Sequence, residues 1–197
     1  MSHYFETPDT VGAHYQVEAL IWGQPMSFTS SDGVFSCSRL DPGTSVLFRL
    51  TDPPVNRSAR ILDLGCGYGA IGLALASHCP DVIIDAVDTN QQALELTKAN
   101  AARMGLSNRV NTYLPEQVPI IVQYDEIWSN PPIRIGKSAL QEMMTRWLSC
   151  LTESGQAKIV IGKNLGADSF HTWLQSTGWS VQRVGSSKGF RVLLVQR

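Results

Sequence analysis

The sequence predicts an α/β chain built on a mostly parallel, doubly wound sheet, and three observations predict it. The apolar run Arg60–Leu64 passes directly into the glycine turn Gly65-Cys66-Gly67-Tyr68-Gly69 and then into a helical segment, Ala70–Ser77, packed by Ile71, Leu73, Leu75 and Ala76. Further strand-length runs alternate with helical ones, the order that places crossover helices on both faces of a parallel sheet. The chain closes on two strand segments joined by Gly185-Ser186-Ser187-Lys188-Gly189, a connection short enough for an antiparallel hairpin. The expected fold is therefore a Rossmann-like, seven-stranded, mostly parallel sheet with a C-terminal antiparallel hairpin.

Residues 1–57 are read as an extension packed on the core, and residues 58–197 as the core itself, a single structural unit. The stretch Tyr4 to Pro54 is rich in aromatic and turn residues and carries the candidate strands Ala19–Trp22 and Met26–Thr29. Asp41 is a plausible N-cap for a helix with Pro42 at its first position and Val46, Leu47 and Leu50 as its buried stripe. In the core, strand Val82–Val87 precedes a helix that Asn90 caps and that runs to about Met104, where Gly105 stops it. Strands near Arg109–Tyr113 and at Tyr124–Ser129 follow. Ser138 and Gln141 form a candidate capping box for a helix whose apolar positions Leu140, Met143, Met144, Trp147, Leu148 and Leu151 keep helical spacing, which makes Trp147 a core residue. Strand Ala157–Ile161, helix Ala167–Ser176 and strands Trp179–Val184 and Phe190–Val195 complete the order.

Glycines permit positive φ and let a ligand lie against bare backbone, and N–H groups at a helix start favour electron-rich or anionic groups. Asp88, about twenty residues past the last glycine at the end of the second strand, is placed to take two ribose hydroxyls. Dinucleotides and S-adenosylmethionine both offer such hydroxyls. A dinucleotide fingerprint wants two residues between its second and third glycines, whereas Tyr68 alone separates Gly67 from Gly69. Asp63, before the turn, is placed to bind turn amides or a ligand ammonium. Together these favour S-adenosylmethionine over a nicotinamide dinucleotide.

The strand Tyr124–Ser129 delivers Asn130-Pro131-Pro132-Ile133. Proline lacks an N–H and fixes φ, so the Asn130 side-chain oxygen and the Pro131 carbonyl can converge on one planar amine. The alternative reading is a stiff turn that merely ends a strand.

A chain of 197 residues that is 43% apolar suits one globular domain, and no apolar run approaches the roughly twenty residues that span a bilayer. Met1–Glu6 lack the basic start and apolar stretch of a signal peptide, and a cytoplasmic location is expected. Cys37, Cys66, Cys79 and Cys150, with the four histidines, form no metal-ligand or disulfide spacing, so no metal is expected. The net charge is −1, unevenly spread: −7 through Ser129 and +6 from Asn130 onward. Arg134, Lys137, Lys163, Arg183, Lys188 and Arg191 are thus either a basic rim for a phosphate backbone or ordinary solvated charges.

These residues make the chain resemble the class I S-adenosylmethionine-dependent methyltransferases, and within them the "methyltransferase small" family that includes ribosomal RNA (16S) guanine-N2 methyltransferases. The likeness is carried by Gly33-Val34-Phe35-Ser36, Leu40-Asp41-x-Gly43-Thr44, Leu62-Asp63-Leu64-Gly65-Cys66-Gly67-Tyr68-Gly69, Asn130-Pro131-Pro132-Ile133-Arg134-x-Gly136-Lys137 and Lys188-Gly189-Phe190-Arg191-Val192. It implies that Asp63, Gly65, Cys66, Gly67, Gly69, Asp88, Thr89 and Asn130 hold the cofactor and that Asn130 with Pro131 holds the target amine. Phe35, Pro132, Ile133, Arg134, Lys137, Lys188 and Arg191 are the implied substrate contacts.

Two departures from the family pattern stand out. Tyr113-Leu114-Pro115 replaces the Asp or Asn that often contacts the adenine amino group, leaving that contact to backbone. Ile133 replaces the aromatic residue of adenine-N6 and glutamine methyltransferases, which leaves Phe35 either as a replacement stacking residue or as a core phenylalanine. The implied activity is methyl transfer to an exocyclic amine, guanine N2 of ribosomal RNA, with RNA or the small ribosomal subunit as partner. A protein glutamine, a DNA adenine, a small amine, or non-catalytic RNA or cofactor binding are the alternatives.

Overall fold

The computed structural model describes residues 13–55 and 58–197, with the backbone alone at Ile133. Met1–Glu6, on which the signal-peptide expectation rests, lie outside the described residues. In chain order the elements are β1 (His14–Ile21), β2 (Gln24–Ser31), α1 (Pro42–Leu50), β3 (Arg60–Leu64), α2 (Ala70–His78), β4 (Ile83–Val87), α3 (Gln91–Arg103), β5 (Val110–Tyr113), β6 (Tyr124–Ser129), α4 (Lys137–Leu148), β7 (Leu151–Gly162), α5 (Ala167–Ser176), β8 (Ser180–Ser187) and β9 (Phe190–Gln196).

Strands β3 to β9 form one seven-stranded sheet in the order β5-β4-β3-β6-β7-β9-β8. β9 runs antiparallel to both its neighbours, β7 and β8, while the other pairs are parallel. Because the chain steps outward from β3 on both sides, the crevice at its C-terminal edge opens between β3 and β6, where a doubly wound sheet takes ligands. Ile61, Leu62, Asp63 and Leu64 are all buried, as a central strand covered on both faces requires. On one face Ile61 and Ile84 pack with Leu73, Leu75 and Leu94, and on the other Leu62 and Ile127 pack with Met144, Leu148 and Leu174. Each such fully buried aliphatic side chain stabilises the fold by roughly 1.5–3 kcal/mol.

The N-terminal segment forms the antiparallel hairpin β1–β2 outside the main sheet. The β1–β2 and β8–β9 hairpins each turn on two residues with positive φ, Trp22-Gly23 (46° and 81°) and Lys188-Gly189 (47° and 80°), the conformation that suits the right-handed strand twist. The C-terminal turn is therefore shorter than the expected Gly185–Gly189 loop, since Gly185, Ser186 and Ser187 pair with β9.

Several boundaries differ from expectation for tertiary reasons. The strands expected at Ala19–Trp22 and Met26–Thr29 extend to His14 and Ser31 because the hairpin pairs along its whole length. Leu151 does not end the helical stripe of α4; it opens β7 by pairing with Tyr124, well before the expected start at Ala157. The Ser138–Gln141 capping box does not form: α4 begins at Lys137 behind Gly136, without a side-chain cap. In α1, Phe48 joins Val46 and Leu47 in the buried stripe, and Leu50 is only partly buried. Among the described residues, no helix is long and apolar enough to cross a membrane.

Candidate active site

The local chain path at the end of β3 is set by backbone. Gly65, Gly67 and Gly69 all have positive φ (75°, 56° and 89°), a region that costs side-chain-bearing residues strain. The Gly65 and Cys66 N–H groups donate to the Val87 carbonyl at 2.8 and 3.1 Å, and the Gly67 N–H donates to Asp88 Oδ2 at 2.9 Å. Asp88 Oδ1 accepts from Asn90 N at 2.9 Å. The carboxylate expected to take ribose hydroxyls is thus held by backbone amides at the cavity wall. Burial pushes its pKa up, against the pull of the Asn90, Gly67 and Thr89 amides.

Asp63 is fully buried beneath the turn rather than on the cavity wall. Its Oδ2 accepts from Gly72 N at 2.8 Å, and Oδ1 has no hydrogen-bond partner among the described residues. Burial pushes this carboxyl up to about 7, with the Gly72 amide opposing and the Asp88 charge reinforcing the rise. Gly72 makes the approach possible: a Cβ there would lie 3.0 Å from Asp63 Oδ2 and 2.8 Å from Ile84 Cγ2. Cys66 is buried, and desolvation first, then the Asp88 and Asp63 charges, push its thiol well up, so its sulfur is no nucleophile at neutral pH.

The turn is also buttressed from the far side of the chain. Asn100 of α3 donates to the Tyr68 carbonyl (3.0 Å) and the Thr29 carbonyl (2.8 Å) and accepts from Thr29 N (2.8 Å). Tyr68 packs its ring against Phe28 of β2, with centroids 5.8 Å apart. Nothing in the helical periodicity of α3 marks Asn100 for this task; a buried Asn on an apolar face was its only signal.

Across the crevice, Leu64 pairs with Ser129, and Ser129 Oγ donates to the Leu64 carbonyl at 2.8 Å, fixing the ends of β3 and β6 together. Asn130, Pro131 and Pro132 then share one cavity of about 550 Å³ with Gly65, Cys66, Gly67, Asp88 and Thr89. That volume lies within the range of small-molecule and cofactor sites. Asn130 Nδ2 donates to Asp41 Oδ1 at 2.6 Å and to Thr44 Oγ1 at 3.0 Å. Asp41 is the expected N-cap of α1, its Oδ1 also accepting from Gly43 N and Thr44 N at 2.7 and 3.0 Å. The third bond to this oxygen, from Asn130, was not legible in the sequence.

The expected substrate contacts divide. Phe35 is 46% exposed and lines the cavity, so the core reading of that residue is corrected. Pro132 and Arg134 also line it, whereas Lys137 and Lys188 are exposed outside it. The Ile133 side chain lies outside the described residues. Arg191 is corrected as a rim residue: it is buried and forms an ion pair with Asp168, which also pairs with Arg183 at 3.3 Å. Trp147 is buried as expected but also reaches the cavity wall.

At the segment after β5, Pro115 lines the cavity while its carbonyl accepts from Arg146 Nη2 at 2.6 Å, and Leu114 N donates to Gln117 Oε1 at 3.0 Å. The Leu114 N–H and the Pro115 carbonyl are therefore both hydrogen-bonded within the protein. Among the described residues, no group of His, Cys, Asp and Glu is arranged to hold a metal ion.

Fold and site together define the class of S-adenosylmethionine-dependent methyltransferases. The profile described as methyltransferase small domain matches residues 25–194, and the chain belongs to that family. The uncharacterized protein YbxB of Bacillus subtilis is 34% identical over 199 residues, covering 99% of this chain and 98% of that protein. The ribosomal RNA small subunit methyltransferase C of Klebsiella pneumoniae is 31% identical over 149 residues, covering 71% of this chain but only 42% of that protein. A solved structure of the Thermus thermophilus 16S rRNA N2 G1207 methyltransferase with AdoMet and guanosine superposes with a TM-score of 0.76 at 20% identity, covering 96% of this chain and 52% of that one.

The residues present fit this cofactor. The cavity is edged by the Asp88 carboxylate, placed for ribose hydroxyls, and the unpartnered Asp63 Oδ1 lies buried behind the glycine turn, an arrangement that suits a cationic amino-acid sulfonium.

Proposed function

We propose that this chain transfers a methyl group from S-adenosylmethionine to an exocyclic amino group of an RNA base, guanine N2 of ribosomal RNA. The observation that carries this reading is the orientation of Asn130. Both of its Nδ2 protons are committed to Asp41 and Thr44, which leaves Oδ1 as the group available to a ligand. A fixed acceptor beside the Pro131 carbonyl selects a substrate that donates two N–H bonds, a planar amine, over a hydroxyl or a carbonyl.

In this reading Gly65, Cys66, Gly67, Gly69, Asp88 and Thr89 hold the cofactor, with Asp63 beneath them. The bound cofactor supplies an electrophilic methyl on a sulfonium. Asn130 Oδ1 and the Pro131 carbonyl each accept one N–H of the amine, turn the nitrogen lone pair toward that methyl, and stabilise the positive charge that grows on nitrogen. No strong base is needed, since the proton is lost to solvent after transfer. Phe35, Pro132 and Arg134 frame the base.

A polyanionic substrate is supported by the far end of the sheet. Arg49 donates to Ser187 Oγ, and Lys163 N donates to the Gly189 carbonyl at 2.7 Å, so Arg49, Lys163 and Lys188 gather at the β8–β9 turn. That turn adjoins Phe190, a residue of the cavity wall. Residues 1–57 act, on this view, as an extension of the catalytic unit, because α1 carries Asp41 and Thr44 to Asn130. The protein so assigned is cytoplasmic and acts on ribosomal RNA or the small ribosomal subunit.

The test is incubation with radiolabelled S-adenosylmethionine and, separately, ribosomal RNA, small subunits, DNA and a protein extract, followed by nucleoside analysis. Label in N2-methylguanosine is expected. Label confined to protein or DNA would sink the assignment.

A further inference from the structure

The loop motif Leu40-Asp41-Pro42-Gly43-Thr44 has a residue-level purpose beyond starting a helix. Asp41 Oδ1 accepts three donors: Gly43 N, Thr44 N and Asn130 Nδ2, at 2.7, 3.0 and 2.6 Å. Thr44 Oγ1 takes the remaining Asn130 bond, and Thr44 is 95% buried. Pro42 lacks the N–H that would compete for the carboxylate, and it starts α1 at the φ a helix needs. Gly43 leaves room: a Cβ there would sit 2.9 Å from Asp41 Oδ1 and 3.0 Å from Phe190 Cε1. Pro42, Gly43 and Thr44 thus all serve the position of the Asp41 carboxylate.

An asparagine side chain is nearly symmetric in shape, so an unrestrained Asn130 could present either its oxygen or its NH₂ to the cavity. A carboxylate only accepts hydrogen bonds. Turning the amide over would set Asn130 Oδ1 against Asp41 Oδ1 and forfeit a charge-assisted bond, which is worth roughly 1.5–3 kcal/mol, or about tenfold to a hundredfold in the population of the correct orientation. We infer that Asp41, with Thr44, is a positioning residue for methyl transfer: it locks Asn130 with Oδ1 toward the substrate amine and makes the site an obligate acceptor. This rests on the reading of Asn130 as the amine clamp.

Serine caps a helix as well as aspartate but is too short to reach Asn130, so Asp41→Ser separates the two tasks of this side chain. Asp41→Ser is expected to keep the melting temperature and the calorimetric cofactor affinity close to wild type while lowering kcat ~10²-fold. Asp41→Asn, which restores an acceptor at the same place, recovers most of the lost rate. On an Asn130→Ala background, Asp41→Ser adds no further loss, because its target is gone.

Wild-type kcat in Asp41→Ser, or losses that multiply in the double variant, overturns the inference. If the wild type methylates no RNA, the clamp reading fails but the positioning is still decided by NMR. The Asn130 side-chain amide protons are then expected to be protected from exchange in the wild type and exposed in Asp41→Ser. Equal exchange in the two proteins overturns the lock.

Discussion

Asp63 Oδ2 accepts the Gly72 N–H at 2.8 Å inside the interface of β3 and α2, while the other oxygen of the same carboxylate has no partner among the described residues. A half-satisfied carboxyl at zero exposure is held up to about 7 by desolvation. Its unfolded-state value is near 3.9, so between those limits the native state binds the extra proton. Stability from this group is complete below about pH 4 and is lost as pH rises through about 7. The ligand-free protein should therefore show a melting temperature that declines from pH 5 to pH 7.5, and Asp63→Asn should flatten that decline. Asp88, raised in the same direction, adds to the slope and remains in the variant.

Cofactor binding should run the other way. A cationic ligand prefers Asp63 ionised, so calorimetric affinity is expected to rise with pH up to about 7, by at most about tenfold per unit, and to level off above it, with a proton released on binding. An affinity independent of pH from 5.5 to 8 would remove Asp63 from the account of cofactor binding.

Gly72→Ala tests the same contact from the helix side. The new Cβ would crowd Ile84 and Asp63, and overpacking of this kind typically costs about 1–3 kcal/mol. Chemical denaturation should read that loss, together with weaker cofactor binding because the Asp63 carboxylate must move.

Asn100→Ala should be felt at two places at once. It strips partners from Thr29 N, Thr29 O and Tyr68 O, and about 1–3 kcal/mol follows for each buried group left unpaired. A loss of about 1–3 kcal/mol, set mainly by the buried Tyr68 carbonyl, is expected in denaturant melts, along with faster hydrogen exchange in β2 and in the glycine turn. Exchange altered in β2 alone would break the proposed link between hairpin and turn.

The paired and unpaired cations predict different salt behaviour. Lys188→Ala should reduce the slope of log affinity for RNA against log salt by about 1, because one phosphate contact is lost. Arg191→Met should leave that slope unchanged, since Arg191 is already engaged with Asp168. Filter binding at several salt concentrations distinguishes them, and a reduced slope in Arg191→Met would return that residue to the RNA-facing rim.

The sequence by itself determined what depends on neighbouring residues. The period of apolar residues set the seven strands and the helices, and Gly65, Gly67 and Gly69 specified a turn that other residues would strain. Asp41 before Pro42 and Asn90 before α3 were legible as caps because a cap acts within three residues. Only tertiary structure decided what those groups touch across the fold. Asp41 reaches Asn130 across 89 positions and Asn100 reaches Thr29 across 71, and no local pattern encodes such a pairing. The same reason moved Arg191 from the basic rim to the Asp168 ion pair and set the start of β7 at Leu151. A side chain advertises its chemistry in the sequence, but its partner is chosen by the packing that brings distant segments together.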